Sequence, residues 1–257
     1  MVEDLDNLFL LFIGAVGIGF VSAITGIGGG SLMVPFMVLI LDYDVKVAIA
    51  VSLLCVVVTS STAASTYLRK GLVDLKTALL LEPSTALGAI IGAHITLALP
   101  VRVVKGALGL LLIWISIMML RRALKGMPQG RIVINLPNRK LLAVLSSFFA
   151  GISSGMFGIG GGVIKVPVMT LLMGLPIKTA VATSSFMVGL TATSGGIVYL
   201  AEGYIDPPSV LALALGIIPG ATLGARAIGR IKSKLVLLSF VAVLMFAALR
   251  LLYTVIT

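Results

Sequence analysis

The sequence predicts an all-helical protein that crosses a membrane several times. Of its 257 residues, 59% are hydrophobic and 11% are charged, and the mean hydropathy is +1.20. A water-soluble domain of this length cannot bury so much apolar surface, and in lipid only helices or closed barrels satisfy the backbone. The apolar–polar alternation of barrel strands is absent from the sequence. Apolar runs of about 20 residues instead match the length of membrane-spanning helices.

A duplication organises the chain into two tandem repeats. The sequence Gly-Ile-Gly-Gly-Gly at 26–30 recurs at 158–162, an offset of 132 residues (158 − 26), and Val34-Pro35 recurs as Val166-Pro167 at the same offset. Glycine-interrupted apolar segments at corresponding positions of two halves indicate the binding site of a transporter. The predicted division is a first repeat over 1–121, a basic linker over 122–139 and a second repeat over 140–257.

Each repeat begins with an apolar segment that the glycine run interrupts. The pieces after the glycines, 31–41 and 163–173, hold about 11 residues, and at about 1.5 Å per residue they cannot cross a core about 30 Å thick. Each repeat therefore predicts a broken helical hairpin followed by three spanning helices. The predicted spans are 47–68, 73–99 and 103–120, then 179–200, 210–228 and 235–255.

Loop charges predict the orientation of these spans. The linker between Arg121 and Lys140 carries basic residues and no acid, which places it in the cytoplasm by the positive-inside rule. The acidic loops near Asp44 and Glu202 are then outside, with Arg102 and Lys105 as the exception. Three full crossings in each repeat give inverted repeats. Four crossings would give parallel repeats, and the charge bias favours the inverted arrangement.

The two glycine runs are the predicted anion site. A helix that begins after a glycine run leaves its first N–H groups unpaired, and these groups and the helix dipole attract anions. Close helix packing is the alternative role for glycine in membranes. The candidate substrate-binding residues of the runs are Gly28, Gly29, Gly30 and Ser31 in the first half, and Gly160, Gly161 and Gly162 in the second.

Lys165 is the one charge that distinguishes the two motifs, because its counterpart is Met33. An ammonium inside a membrane segment is costly without water or a counter-charge, so it is a candidate ligand of an anionic substrate. The alternative is a lysine that snorkels to the headgroups. Hydroxyls of Ser52, Ser184 and Ser185 complete the predicted substrate site, unless they bond neighbouring backbone carbonyls instead.

Glu82 and His94 are candidates for proton coupling. Intramembrane carboxylates are functional candidates by default, although Glu82 also adjoins Pro83 and a structural hydrogen bond there is the alternative. No spacing of His, Cys, Asp or Glu suits a metal, and no nucleophile with a base partner is evident. We therefore expect no catalytic residue, metal or other cofactor, and no enzyme. The net charge of +10 lies in short loops, which indicates topology signals rather than nucleic-acid binding.

The duplicated Gly-Ile-Gly-Gly-Gly with its trailing Val-Pro, in a chain with a basic middle loop, resembles the TauE/SafE sulfite-exporter family, which includes proteins like the 4-toluene sulfonate uptake permeases. The resemblance implies a multi-pass transporter that moves a small sulfur-containing anion, such as sulfite, sulfoacetate or another sulfonate, across a prokaryotic inner membrane. Proton coupling is part of this expectation. The expected partners are the anion and the lipid bilayer, and the oligomeric state stays open. A carrier of a small carboxylate or other organic anion, or a membrane scaffold subunit that transports nothing, is the alternative.

Overall fold

The computed structural model describes residues 2–25, 29–125, 138–227 and 233–256, and this part of the chain folds into helices without any strand. The helices are α1 (Val2–Thr25), α2 (Gly30–Ile40), α3 (Val45–Arg69), α4 (Leu75–Ala98), α5 (Val101–Lys125), α6 (Arg139–Phe157), α7 (Gly162–Leu171), α8 (Ile177–Ala201), α9 (Pro207–Ala227) and α10 (Ser233–Ile256). Within these residues, α3, α4, α5, α6 and α8 are long and apolar enough to cross a membrane. The predicted all-helical polytopic membrane fold is confirmed.

Helices of the two halves begin at the predicted offset. Helices α2, α3, α4 and α5 start 132 residues before α7, α8, α9 and α10, respectively (for example 162 − 30). The short helices α2 and α7 hold 11 and 10 residues, as expected for the pieces after the glycine runs. This correspondence supports the predicted repeats. Most of the predicted linker, residues 126–137, lies outside the described residues.

Side chains at the helix ends explain where several helices begin and stop. The Asp44 carboxylate accepts hydrogen bonds from the N–H groups of Lys46 and Val47, which caps α3. At the opposite ends, Lys46 Nζ donates to the Leu97 carbonyl of α4 over 2.8 Å, and Arg102 Nε donates to the Val255 carbonyl of α10 over 2.6 Å. Cations favour helix C-termini. Arg102, an exception to the predicted charge bias, therefore has a local partner.

Close packing between the halves depends on glycines that admit a neighbouring backbone. Helix α4 runs parallel to α6, as two contacts in the same order along both helices show: Gly88 faces the carbonyl of Phe148, and Gly92 faces that of Ile152. The counterpart pair, α9 and α1, is also parallel, with Gly220 against the carbonyl of Val16. Exchange of the two halves converts one helix pair into the other. Small residues at such contacts let membrane helices approach closely.

Counterpart helices that touch each other run in opposite directions. On α3 and α8, Ser60 lies against Gly189 and Leu53 lies against Gly195. Helices α5 and α10 are likewise antiparallel, since Arg102 bonds to Val255 while Gly109 meets the carbonyl of Ala248. Parallel repeats would make each of these pairs run in the same direction. The observed directions support the prediction of inverted repeats.

Candidate functional site

The second glycine run forms a tight left-handed turn between α6 and α7. Gly158, Gly160 and Gly161 have φ angles of +70°, +80° and +69°, which side-chain-bearing residues rarely adopt. The Gly161 carbonyl accepts hydrogen bonds from the N–H groups of Ile164 and Lys165, so α7 starts directly after the run. No side chain caps this helix start. The N–H groups of the first residues of α7 therefore have no carbonyl partner within the helix.

The first half shows the same kind of helix start at α2. The Gly29 carbonyl accepts from the N–H groups of Leu32 and Met33, and no side chain caps the helix. Gly29 itself has a φ of −70°, so the described part of this run does not repeat the left-handed turn. Gly28, a predicted substrate ligand, lies outside the described residues, as do Gly26 and Ile27. Two uncapped N-termini of short helices are thus present.

The two glycine runs meet inside the protein. A methyl group built on Gly30 would lie 2.3 Å from the carbonyl oxygen of Gly158 and 3.1 Å from the Cα of Ile159. Only a glycine allows the start of α2 to approach the turn this closely. Val56 of α3 contacts both runs, because its methyl groups lie 3.0 Å and 3.1 Å from the equivalent positions on Gly30 and Gly160. The contact closes the space between these two backbones in the observed conformation.

Two serine hydroxyls near the helix starts are fully buried and have no partner in the part of the chain that the structure describes. Ser31, in the first turn of α2, and Ser154, whose Cβ lies 3.4 Å from a methyl group built on Gly161, each have 0% exposure and no hydrogen bond to Oγ. Ser147 on α6 shares these properties. Buried polar groups nearly always find partners, so each such hydroxyl is unusual. The sequence prediction included Ser31 and missed Ser154, although the match of Ser154 to Ser22 four residues before each run was visible.

Of the other predicted serines, Ser52 and Ser185 bond to backbone carbonyls, and Ser184 is buried. Ser52 Oγ donates to the Gly158 carbonyl over 2.9 Å, which ties α3 to the glycine turn. Ser184 is buried at 3% exposure on α8, at the position equivalent to Ser52. Ser185 Oγ donates to the Val181 carbonyl over 3.0 Å within its own helix. The backbone-bonding alternative considered for these serines therefore describes Ser52 and Ser185.

A buried charged cluster lies one turn into α7. Lys165, at 0% exposure, places Nζ 3.4 Å from Glu82 Oε2 and 2.5 Å from Thr191 Oγ1. The Thr191 hydroxyl is 2.7 Å from Glu82 Oε1, and Glu82 is 8% exposed. The cluster joins α4 of the first half to α7 and α8 of the second. Full burial and two polar partners exclude the alternative of a lysine that snorkels to the headgroups.

The two candidate proton carriers are not brought together. Glu82 pairs with Lys165, whereas His94 lies on the exposed surface of α4. Twelve residues along a helix separate them by about 18 Å. The sequence singled out Lys165 and Glu82 separately, and the structure makes them one site. Among the described residues, no group of three His, Cys, Asp or Glu side chains lies close enough to hold a metal ion.

Comparisons with known proteins identify the family of this chain. The model of the family described as "Sulfite exporter TauE/SafE" matches residues 11–251. Two similar proteins are the "Probable membrane transporter protein YunE" of Bacillus subtilis (28% identity over 96% of this chain and 97% of that one) and a probable membrane transporter protein of Methanocaldococcus jannaschii (28% identity, 90% of each chain). "Sulfite exporter TauE/SafE family protein 6" of Arabidopsis thaliana is 37% identical over 34% of this chain and 20% of its own length. No solved structure matches the chain. The chain therefore belongs to the TauE/SafE sulfite exporter family of membrane transporters, as its duplicated glycine motif predicted.

Proposed function

We propose that this multi-pass membrane protein is a secondary transporter of a small sulfur-containing anion, such as sulfite, sulfoacetate or another sulfonate, in a prokaryotic inner membrane. The observation that carries the proposal is the contact of Gly30, the first residue of α2, with the glycine turn that leads into α7, beside two buried serine hydroxyls, those of Ser31 and Ser154, that have no partner among the described residues. An oxyanion supplies acceptors for donors that have none within the part of the chain that the structure describes. The family and the names of the relatives support transport, and the site supports an anion as its substrate.

The helix starts supply neutral donors that match an oxyanion. N–H groups of residues 30–31 and 162–163, together with the hydroxyls of Ser31 and Ser154, make up the proposed ligand set. Each helix dipole contributes about 0.3–2 kcal/mol toward a nearby anion, and each hydrogen bond to a charged group contributes about 1.5–3 kcal/mol. Desolvation of the anion costs several kcal/mol. These contributions are large enough to offset the desolvation cost, so the helix starts can hold an anion.

The contact of Gly30 with Gly158 gives the proposed site a closed conformation. An anion between the two backbones requires the hairpins to separate, because the Gly30 position already lies against the Gly158 carbonyl. We infer that transport alternates between this packed arrangement and one in which the helix starts accept the substrate. Inverted repeats suit such alternation, since rocking of one repeat against the other exposes a central site to either side.

Lys165 supplies the charge for the proposed substrate. It lies one turn beyond the N-terminus of α7, where its backbone N–H bonds to the Gly161 carbonyl. Glu82 neutralises the ammonium in the observed conformation. The Lys165 side chain therefore stays inside the protein and does not extend to the lipid headgroups. A substrate anion that displaces Glu82 would gain a buried ammonium as its partner.

Exchange in proteoliposomes tests this function. Vesicles that contain the purified full-length chain are loaded with an unlabelled anion, and uptake of labelled sulfite, methanesulfonate, sulfoacetate, acetate and malonate is measured. We expect exchange of at least one sulfur anion to exceed that in protein-free vesicles and to exceed both carboxylates at least tenfold. Faster exchange of a carboxylate would indicate a carboxylate carrier. Absence of exchange for every sulfur anion would overturn the proposal.

Serine variants connect the flux to the proposed ligands. Ser31→Ala and Ser154→Ala each remove a buried hydroxyl without breaking any hydrogen bond of the closed state, so we expect normal folding and at least a tenfold higher KM. Ser147→Ala is the matched control, because its hydroxyl is equally buried and unpartnered but lies about two helical turns before Ser154. Equal KM values for all three variants would show that the Ser31 and Ser154 hydroxyls do not bind the substrate.

A further inference from the structure

The buried cluster of Lys165, Glu82 and Thr191 is electrically balanced and closed. Lys165 and Thr191 have 0% exposure and Glu82 has 8%, so the ammonium has a carboxylate and a hydroxyl as its surroundings in place of water. At the equivalent positions of the other repeat stand Met33, Ala214 and Thr59. The helical frame therefore exists once with the ion pair and once without it. Ionisable residues within membrane segments are functional candidates by default, and this ion pair has no equivalent in the other repeat.

The Thr191 hydroxyl can serve both protonation states of Glu82. Its single hydrogen has two acceptors within reach, Glu82 Oε1 at 2.7 Å and the Met187 carbonyl at 3.0 Å. When Glu82 is ionised, Thr191 donates to the carboxylate. When a proton forms an O–H bond on Glu82, that group donates to Thr191 Oγ1, and Thr191 turns its hydrogen to Met187. Neither state leaves a buried polar atom of this hydrogen bond unpaired.

Charge balance restricts what can join the cluster. An anion bound beside Lys165 while Glu82 is ionised would leave one uncompensated negative charge in a site of low dielectric constant. An anion bound while Glu82 is protonated leaves the ammonium and the anion, and the net charge returns to zero. The empty and the loaded sites are then both neutral, which is the condition under which a site crosses the bilayer with least cost.

We propose that Glu82 and the transported anion alternate as the counter-ion of Lys165, so that one proton travels with each singly charged anion and transport is electroneutral. This inference rests on the proposed function of the site. A proton from water on one side binds Glu82 as the anion binds Lys165, and both leave on the other side. Singly charged anions, such as hydrogensulfite or a monosulfonate, are the favoured substrates. A doubly charged anion such as sulfoacetate requires a second proton.

No other ionisable group competes for this role among the described residues. Helices α6 and α8 pack against α4, and α7 reaches Glu82 through the Lys165 side chain, which makes the ion pair. Tyr199 is buried but donates to the Gly155 carbonyl over 2.9 Å. The remaining groups on these helices or at their ends are exposed or cap a helix: Lys76, His94, Arg139, Lys140, Lys178 and Glu202 are exposed, and Asp74 caps α4.

Driven uptake in proteoliposomes tests the coupling. Each sulfur probe that exchanges in the assay above (sulfite, methanesulfonate or sulfoacetate) is offered to vesicles with an inward proton gradient while valinomycin and potassium hold the potential at zero. We expect the gradient to raise uptake at least tenfold, and a potential of either sign without a proton gradient to change the rate less than twofold. A pH dye inside the vesicles should record one proton for each methanesulfonate.

The Glu82→Gln variant sharpens the test. Its carboxamide cannot be charged, so Lys165 requires the anion as its counter-ion in every crossing. We expect gradient-driven uptake to fall at least tenfold, and any exchange that remains to be independent of pH. Exchange by the wild type without gradient-driven uptake, or a rate that follows the potential, would overturn the coupling while the transport function stands. Exchange of sulfoacetate but not of methanesulfonate would overturn the preference for a single charge. The wild-type measurements decide the proposal even if the variant folds poorly.

Discussion

The charged cluster around Lys165 and its counterpart around Met33 occupy the same place in two equivalent helical frames. In the second half, Lys165 reaches Glu82 and Thr191. In the first half, Met33 is equally buried, with its sulfur 3.9 Å from Ser52 Oγ, and among the described residues the Thr59 hydroxyl bonds only to carbonyls of its own helix. The frame packs well with an apolar side chain at this position. We therefore expect the fold to tolerate an apolar replacement of the whole ion pair, which is the proposed site of coupling in transport.

The largest expected effect follows from breaking the pair on one side. Glu82→Ala leaves the Lys165 ammonium buried without a counter-ion, and such a change costs about 3–5 kcal/mol. We expect a large fall in the unfolding temperature of the purified protein in detergent. The double variant Lys165→Met with Glu82→Ala copies Met33 and Ala214 of the other half. It should recover the lost stability, since apolar replacement of a buried pair is often neutral or stabilising. A double variant as unstable as Glu82→Ala would show that the frames are not equivalent.

A smaller effect is expected where the two glycine runs touch. Gly30→Ala places a methyl group 2.3 Å from the Gly158 carbonyl, so the backbones must shift, and such overpacking costs about 1–3 kcal/mol. Gly17→Ala on α1 is the matched control, because nothing lies within 4 Å of its added methyl group. Thermal unfolding should separate the two variants, and the exchange rate should fall only for Gly30→Ala. Equal stability of the two variants would contradict the close contact.

The smallest effect concerns the serines that bond to backbone. Ser52→Ala removes the donor to the Gly158 carbonyl, a hydrogen bond that contributes about 1 kcal/mol and holds the second glycine turn against α3. Ser185→Ala removes only a bond within its own helix, and we expect a change below about 0.5 kcal/mol. Denaturation of the two variants in the same detergent measures the difference. If Ser185→Ala lost as much stability as Ser52→Ala, the bond between α3 and the glycine turn would contribute no more than a bond within one helix, contrary to this prediction.

Much of the fold was predictable because duplication and hydropathy are local properties of the sequence. The offset between 26–30 and 158–162 located the two short helices, and α2 and α7 each start at the last glycine of a run, one residue earlier than expected. The antiparallel pairing of α3 with α8 was not readable as a contact, since partners such as Ser60 and Gly189 lie far apart in the sequence. The loop charges indicated the inverted arrangement only indirectly. They favour three crossings in each repeat, and an odd number of crossings inverts the second repeat.

The candidate site was predictable as a set of residues and not as an arrangement. Lys165 and Glu82 each lack a charged counterpart in the other repeat, and two opposite charges with this property are a signal for a pair. The sequence prediction gave them separate roles, because 83 positions separate them and only tertiary packing brings them within 3.4 Å. Ser154 was missed because it precedes the glycine run, while the prediction followed the helix that comes after it. His94 was selected by residue type alone and lies on the surface.

Transport by the double variant Lys165→Met with Glu82→Ala tests the functional role of the ion pair most directly. Its unfolding temperature is measured first, and its exchange of labelled sulfite, methanesulfonate and sulfoacetate is then compared with that of the wild type at equal protein content. We predict a folded protein with wild-type stability or better whose exchange is at least tenfold slower for every anion that the wild type transports. Wild-type exchange by a stably folded double variant would contradict the role of Lys165 as the partner of the anion.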